Sequence, residues 1–244
     1  MKKILLIAVA ILAAGCGLSE ECIKKSGHET TKDVTVTPFT KISVFPGIAL
    51  VVKQGNDYSV TVRSGENIIN DVNVKVADST LTLKDGSGCN FVRSYNGTTV
   101  YVTAPNIIEI YSNTNKDIRS DGVLTYPMLR LFSMDFFGGV GTGDFYMTVN
   151  NSQLVVESNH IAAFYITGQT QQMLLYFYNG IGRFEGPDFL ANEIQIIQRG
   201  SNDMIIHPVE TLSGDIYSTG NVISKSHPPN VNVVRHYSGK LIYD

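Results

Sequence analysis

"QLVVESNHIAAFYITGQTQQMLLYFYNGIGRFEGPDFLANEIQIIQRG" (residues 153–200) alternates apolar and polar side chains for most of its length and then repeats itself. Apolar pairs two positions apart fall at Leu154/Val156, Leu174/Tyr176 and Ile194/Ile196, about 20 residues between successive pairs. Period-two alternation is the mark of a strand with one buried face. A second apolar position recurs half a repeat later, Phe164 after Leu154 and Phe184 after Leu174, so each repeat holds two strands. Asn159, Asn179-Gly180 and Gly200 stand between them, residue types that tolerate tight corners.

The pattern extends in both directions. Ile108/Ile110 and Leu129/Leu131 precede the quoted stretch, and Leu212, followed by Gly214 and Ile216, and Val231/Val233 follow it. The half-repeat series continues through Ile118, Met204, Val222 and Leu241. The one long interval, from Leu129 to Leu154, contains "FFGGVGTGDF" (136–145). A repeat of this length is too short for a propeller blade, and no leucine-rich pattern marks it. The constant half-repeat offset favours an all-β solenoid, a single-chain parallel β-helix of about 20 residues per coil, over an antiparallel sandwich of short strands. Residues 34–104 alternate less regularly ("ALVVK", "YSVTVRS", "TLTLKDG") and fit either the first coils or a cap of hairpins over the end of the stack.

Composition agrees. Charged residues make up 17% of the 244, Trp is absent, and 22 Gly punctuate the apolar runs. The net charge of −3 and the lack of any Lys/Arg cluster with interleaved aromatics exclude a nucleic-acid partner.

The first residues specify the compartment. Met1-Lys2-Lys3 supplies a positive start, Ile4 to Leu12 an apolar run, and Ala13-Ala14-Gly15 the small residues of a cleavage site, giving a signal peptide over 1–15. The run is too short to span a membrane, which takes about 20 apolar residues. Cys16, directly after Gly15, resembles the lipid-bearing cysteine of bacterial lipoproteins, although Ala13 stands where Leu is usual and Leu12 lies one place further back. The expectation is a membrane partner through a lipid anchor, a polar tether over 16–33, and a domain over 34–244. Acidic Ser19-Glu20-Glu21 resembles a surface-export cue, so the location is the outer membrane, at the cell surface or on the periplasmic face. Cys22 and Cys89 are then the pair expected to join in an oxidising compartment, the alternative being two unpaired thiols.

Three stretches, "FTKISVFPGIALVVKQGNDYSVTVRSGENIINDVNVKVADSTLTLKDG" (39–86), "CNFVRSYNGTTVYVTAP" (89–105) and "LSGDIYSTGNVISKSHPPNVNVVRHYSGKLI" (212–242), resemble the autotransporter-adhesin head GIN-domain family of exported bacterial lipoproteins. The resemblance implies a right-handed β-helix and an adhesive role. It also implies that Cys22 and Cys89 form a disulfide, because cysteines at both places recur in relatives. It brings no catalytic residues. The chain departs from the family's Gly-rich closing turns at Tyr217-Ser218-Thr219-Gly220 and His236-Tyr237-Ser238-Gly239.

A β-helix can also process carbohydrate, which requires two facing carboxylates about 5–9.5 Å apart. Asp117, Asp121, Asp135 and Asp144 are the nearest candidates, with Asp121 and Asp144 the pair that could meet across coils; turn-forming is the commoner use of Asp. His28, His160, His207, His227 and His236 lack metal-ligand spacing, and no cofactor motif occurs. Gly138 to Gly143 lacks the lysine and helix of a phosphate loop and is expected to form a protruding corner. Alternation through "QQMLLYFYNG" (171–180) puts Leu175 and Phe177 on one face and Leu174, Tyr176 and Tyr178 on the other. With 12 Tyr and 11 Phe, an exposed aromatic face would suit a glycan or protein ligand. The expected protein is therefore a non-enzymatic, lipid-anchored envelope binder, with a carbohydrate-processing enzyme and a passive scaffold as the alternatives.

Overall fold

The computed structural model describes residues 25–86, 97–135 and 141–244. Among these there is no α-helix, only a short 3-10 turn at Ile69–Asp71, and the chain is a β-solenoid of about six turns with about 21 residues per turn.

Two ladders form its walls. The regular part of the first ladder stacks β8 (Glu109–Ser112), β10 (Met128–Ser133), the second halves of β11 (Phe145–Ser158), β12 (Ala163–Phe177), β13 (Arg183–Gln198) and β14 (Met204–Ile216), and then β16 (Asn230–Arg235), all parallel. The second ladder stacks β9 (Ile118–Leu124), the first halves of β11 to β14, β15 (Val222–Ser224) and β17 (Leu241–Tyr243). Each of β11 to β14 therefore crosses from one wall to the other. A polar corner supports that crossing: Asn151 Oδ1 accepts the Thr170 hydroxyl at 2.8 Å, and Thr170 is only 2% exposed.

The half-repeat series forms one interior column. Ile118, Phe145, Phe164, Phe184, Met204, Val222 and Leu241 are successive register partners, and all but Leu241 are fully buried. Phe145 belongs to this column although the sequence series passed over it; its ring stacks on Phe164 at 4.7 Å. The first series needs one correction. The partners of Leu154 and Val156 on the next coil are Met173 and Leu175, not Leu174 and Tyr176. Leu174 and Tyr176 point outward, on the face opposite Leu175 and Phe177. β12 carries apolar side chains on both faces here, so spacing alone could not choose between them.

The irregular N-terminal region holds both coils and a cap. β2 (Lys41–Val44) and β3 (Ile48–Gln54) form a coil that sits between the coil of β6 (Thr80–Asp85) and β7 (Thr98–Ala104) on one side and that of β8 and β9 on the other. Sequence order and stacking order therefore differ at this end. β5 (Val72–Ala77) closes the first ladder by pairing antiparallel with β6, and β4 (Ser59–Gly65) and β1 (Glu29–Val34) close the second in the same way. Glu29 to Asp33, within the span read as tether, thus pair with β4 as part of this cap. Such a cap occupies the edge that would otherwise recruit another strand.

Gly141 and Gly143 do not protrude. A Cβ on Gly143 would lie 1.9 Å from the Lys116 carbonyl oxygen, and the Thr142 and Gly143 N–H groups both donate to Thr114 O at 2.9 Å, pressing this end of the glycine-rich stretch onto the preceding coil. Gly138 and Gly139 lie outside the described residues.

Gly214 and Gly122 separate two reasons for glycine. Both have positive φ, +122° and +85°. A Cβ at Gly214 would sit 2.0 Å from Ile196 O on the coil beneath, whereas one at Gly122 meets nothing within 4 Å. Gly122→Ala should cost about 1 kcal/mol from backbone conformation alone. Gly214→Ala should cost about 2–4 kcal/mol, because the coils must also move apart, and lower Tm by roughly 5–10 °C. Equal losses in thermal melts of the two variants would show that coil contact is not what requires glycine at 214.

Candidate functional site

Register stacks outward residues as strictly as inward ones, and on the first ladder this builds a continuous chemical face. One outward column runs Lys41, Glu109, Arg130, Val155, Leu174, and the next runs Ser43, Tyr111, Phe132, Glu157, Tyr176. A chain of polar contacts crosses these columns diagonally. Lys41 Nζ lies 2.9 Å from Glu109, Glu109 lies 3.2 Å from Arg130 Nη1, and Arg130 Nη2 lies 3.0 Å from Glu157. Tyr178 then donates its hydroxyl to the other Glu157 oxygen at 3.0 Å. Glu109 is 8% exposed and lies between these two cations; the more exposed contacts contribute about 0–1 kcal/mol each and mainly fix side-chain position.

Aromatic rings lie along this network. Tyr111 stacks on Phe132 with centroids 4.4 Å apart, and Arg130 lies 4.7 Å above the Phe132 ring. Further along the solenoid Arg199 lies 4.4 Å over Tyr217, Tyr217 stacks on His236 at 4.3 Å, and His236 Nε2 lies 2.7 Å from Asp215. Tyr178 and Tyr217 each keep 39% of their surface exposed. Burial, then the hydrogen bond to Glu157, pushes the Tyr178 hydroxyl up to about 12, and burial followed by the nearby Glu157 charge raises Tyr176 as well. Their phenols stay neutral and present an apolar ring with a polar tip, the combination that suits sugar or protein recognition.

The first coils add a depression of about 360 Å³ to the same face, lined by Lys41, Ser43, Phe45, Thr80, Thr82, Lys84, Glu109 and Tyr111. The side chains at Ser43 and Thr82 are small while their neighbours on either side are long, which creates the hollow.

The aspartates are placed as structural groups. Asp144 accepts the Ala163 N–H at 2.8 Å on the next coil, and Asp121 pairs with Lys53 at 3.3 Å. Asp144 precedes Phe145, the partner of Ile118, whereas Asp121 lies inside the bulge between the Arg119 and Val123 pairings, so the two are not opposite one another. Asp117 pairs with Arg119 at 2.6 Å. Asp135 accepts Asn159 at 2.7 Å, which holds its carboxyl below the usual carboxylate range, the wrong direction for a general acid. Among the described residues no group of three or more His, Cys, Asp or Glu could hold a metal ion. The histidines serve separate ends: His207 Nδ1 lies 2.8 Å from Pro187 O, and His227 stacks on Tyr243. Cys16, Cys22 and Cys89 lie outside the described residues.

The alternation of "QQMLLYFYNG" was legible in the sequence, though not which of its two faces is outward. The Lys41–Glu109–Arg130–Glu157 chain was not, because its members come from four coils whose register only the fold supplies.

Comparison with known proteins places this architecture. No curated protein matches the sequence. Among solved structures, a putative adhesin from Bacteroides fragilis NCTC 9343 superposes with a TM-score of 0.81 at 20% identity, covering 91% of this chain and 100% of that one. A putative lipid binding protein from Parabacteroides distasonis ATCC 8503 gives 0.63 at 13% identity, with 90% and 100% covered. A putative adhesin from Parabacteroides merdae ATCC 43184 gives 0.59 at 17% identity, with 90% and 98% covered. At such identities the likeness establishes the fold alone. The family model described as "Putative auto-transporter adhesin, head GIN domain" matches residues 38–228, from before the intercalated coil to the last turn, and the chain belongs to that family.

Proposed function

We propose that the protein is a lipid-anchored cell-envelope adhesin that binds a glycan or protein partner through the outer face of the first ladder, and that it acts by binding rather than catalysis. The observation that carries this is the strip of exposed, pre-positioned rings at Tyr178, Tyr217 and His236, held by Arg199, Asp215 and Glu157. Rings fixed by neighbours lose little freedom on binding, so more of the contact energy appears as affinity. The aspartates considered for hydrolysis are each engaged in a local contact, which supports binding over turnover.

Cys16 is the lipid attachment point in this proposal, and Cys22 and Cys89 form a disulfide that ties the tether to the early coils. Several acyl chains on one cysteine anchor firmly where a single chain holds only marginally. The bridge is worth about 2–4 kcal/mol.

A screen of the mature domain against glycans and matrix proteins is expected to yield a ligand whose affinity falls about tenfold or more in Tyr178→Ala/Tyr217→Ala. No binding above background, or a ligand indifferent to both tyrosines, would reject this face as the site. Cys16→Ser should move the protein from the membrane fraction to the soluble fraction. That soluble protein, unfolded, should show no free thiol before reduction and two after; a membrane-bound variant or two initial thiols would remove the anchor or the bridge respectively. Protease added to intact cells should cleave the protein at the surface. Cleavage only after the outer membrane is opened would place it on the periplasmic face and reduce it to a scaffold.

A further inference from the structure

The depression on the first coils carries a charge pattern at odds with the rest of the chain. The protein is acidic overall, at −3. Here Lys41 and Lys84 line the hollow and Lys75 stands on the adjoining strand opposite Thr82. The one carboxylate among the lining residues, Glu109, is already shared between Lys41 and Arg130. Among the described residues Lys84 meets no carboxylate; its ammonium lies 4.1 Å from the centroid of Phe45. Lys75 is exposed on the same face.

The floor is equally specific. Ser43 and Thr82 are register partners on neighbouring parallel strands, with Thr80 two positions along. Their hydroxyls both donate and accept, and they lie between the ammonium groups in a hollow that Phe45 and Tyr111 wall with apolar area. Every strand here is paired on both sides, β6 with β5 and β2, and β2 with β6 and β8. A peptide therefore finds no open edge on the strands that line the hollow; β5, one strand further out, pairs only with β6 among the described residues, and recognition within the hollow goes through side chains.

From hydroxyl groups on the floor, ring area on the walls and, at one end, two ammonium groups that meet no carboxylate among the described residues, we infer that this depression is a subsite for a carboxylated sugar, a hexuronate unit of an acidic glycan. The sugar carboxylate pairs with Lys84 and Lys75, the sugar hydroxyls bond with Ser43 and Thr82, and an apolar face of the ring lies against Phe45. The inference rests on the binding function proposed above and names the ligand class for the same face.

The test is titration calorimetry of the soluble mature domain with a defined oligogalacturonate and with its carboxyl-reduced, neutral counterpart. The acidic oligomer should bind at least tenfold more tightly than the neutral one, and this preference should weaken as salt is raised. Lys75→Gln/Lys84→Gln should remove most of the preference, Ser43→Ala/Thr82→Val should weaken both ligands, and Lys240→Gln on the last coil should change nothing. All these positions but Ser43 are solvent-accessible, and thermal melts of each variant control for folding. Equal affinity for the two oligomers, an unchanged Lys75/Lys84 double variant, or a Glu-rich peptide binding as tightly as the uronate would overturn the carboxylated-sugar assignment. If the broad screen finds a neutral glycan or protein that depends on Tyr178 and Tyr217 but not on Lys84, only this subsite falls. If nothing binds at all, the adhesive function falls with it.

Discussion

Parallel in-register stacking is the constraint on which everything else rests. Adjacent strands lie about 4.8 Å apart, so a residue at one position of a coil touches the same position on the next. Inside, this selects columns of one chemical kind, as with Phe145, Phe164 and Phe184. Outside it brings ring onto ring at Tyr146 and Tyr165, Tyr111 and Phe132, and Tyr217 and His236. It also forces charges to alternate. Like charges one rung apart would repel in a half-buried column, so Lys41, Glu109 and Arg130 follow one another with alternating sign.

The same rule makes the N-terminal end informative. The coil of β2 and β3 is laid down early in the chain, yet it is covered on one side by β6 and β7 and on the other by β8 and β9. It cannot complete its neighbours until about 60 further residues have folded back onto it, which makes this the slowest kind of contact to form. The depression is a direct product of that topology. Its lining comes from 41–45, 80–84 and 109–111, three segments far apart in sequence that the intercalation places on adjacent rungs.

How much could be read without the structure follows from this distinction between local and non-local information. The half-repeat column was legible except at Phe145, because its other members alternate with polar neighbours and, from Phe164 onward, recur at nearly constant spacing. The slip to Leu174 and Tyr176 occurred where outward positions are apolar too, so that spacing lost its power to tell inside from outside. The intercalated coil had no local signal, since "KISV" and "ALVVK" look the same whether they begin the stack or sit within it. Tyr176 and Tyr178 were legible as sharing a face, though not as the outward one, whereas nothing local marked Glu109 and Arg130 as neighbours until register brought them together.

Period-two alternation also separates what the fold needs from what a ligand would touch. Replacing Tyr217 or Lys84 leaves Ile216 and Leu83 in place beneath, because successive side chains point to opposite faces. The outer face can therefore change while the interior columns stay constant. A solved structure with only 20% identity keeps the architecture at a TM-score of 0.81 for that reason, and the shared fold carries no ligand over with it. Specificity must be sought on the outward columns of this chain, where the chemistry is its own.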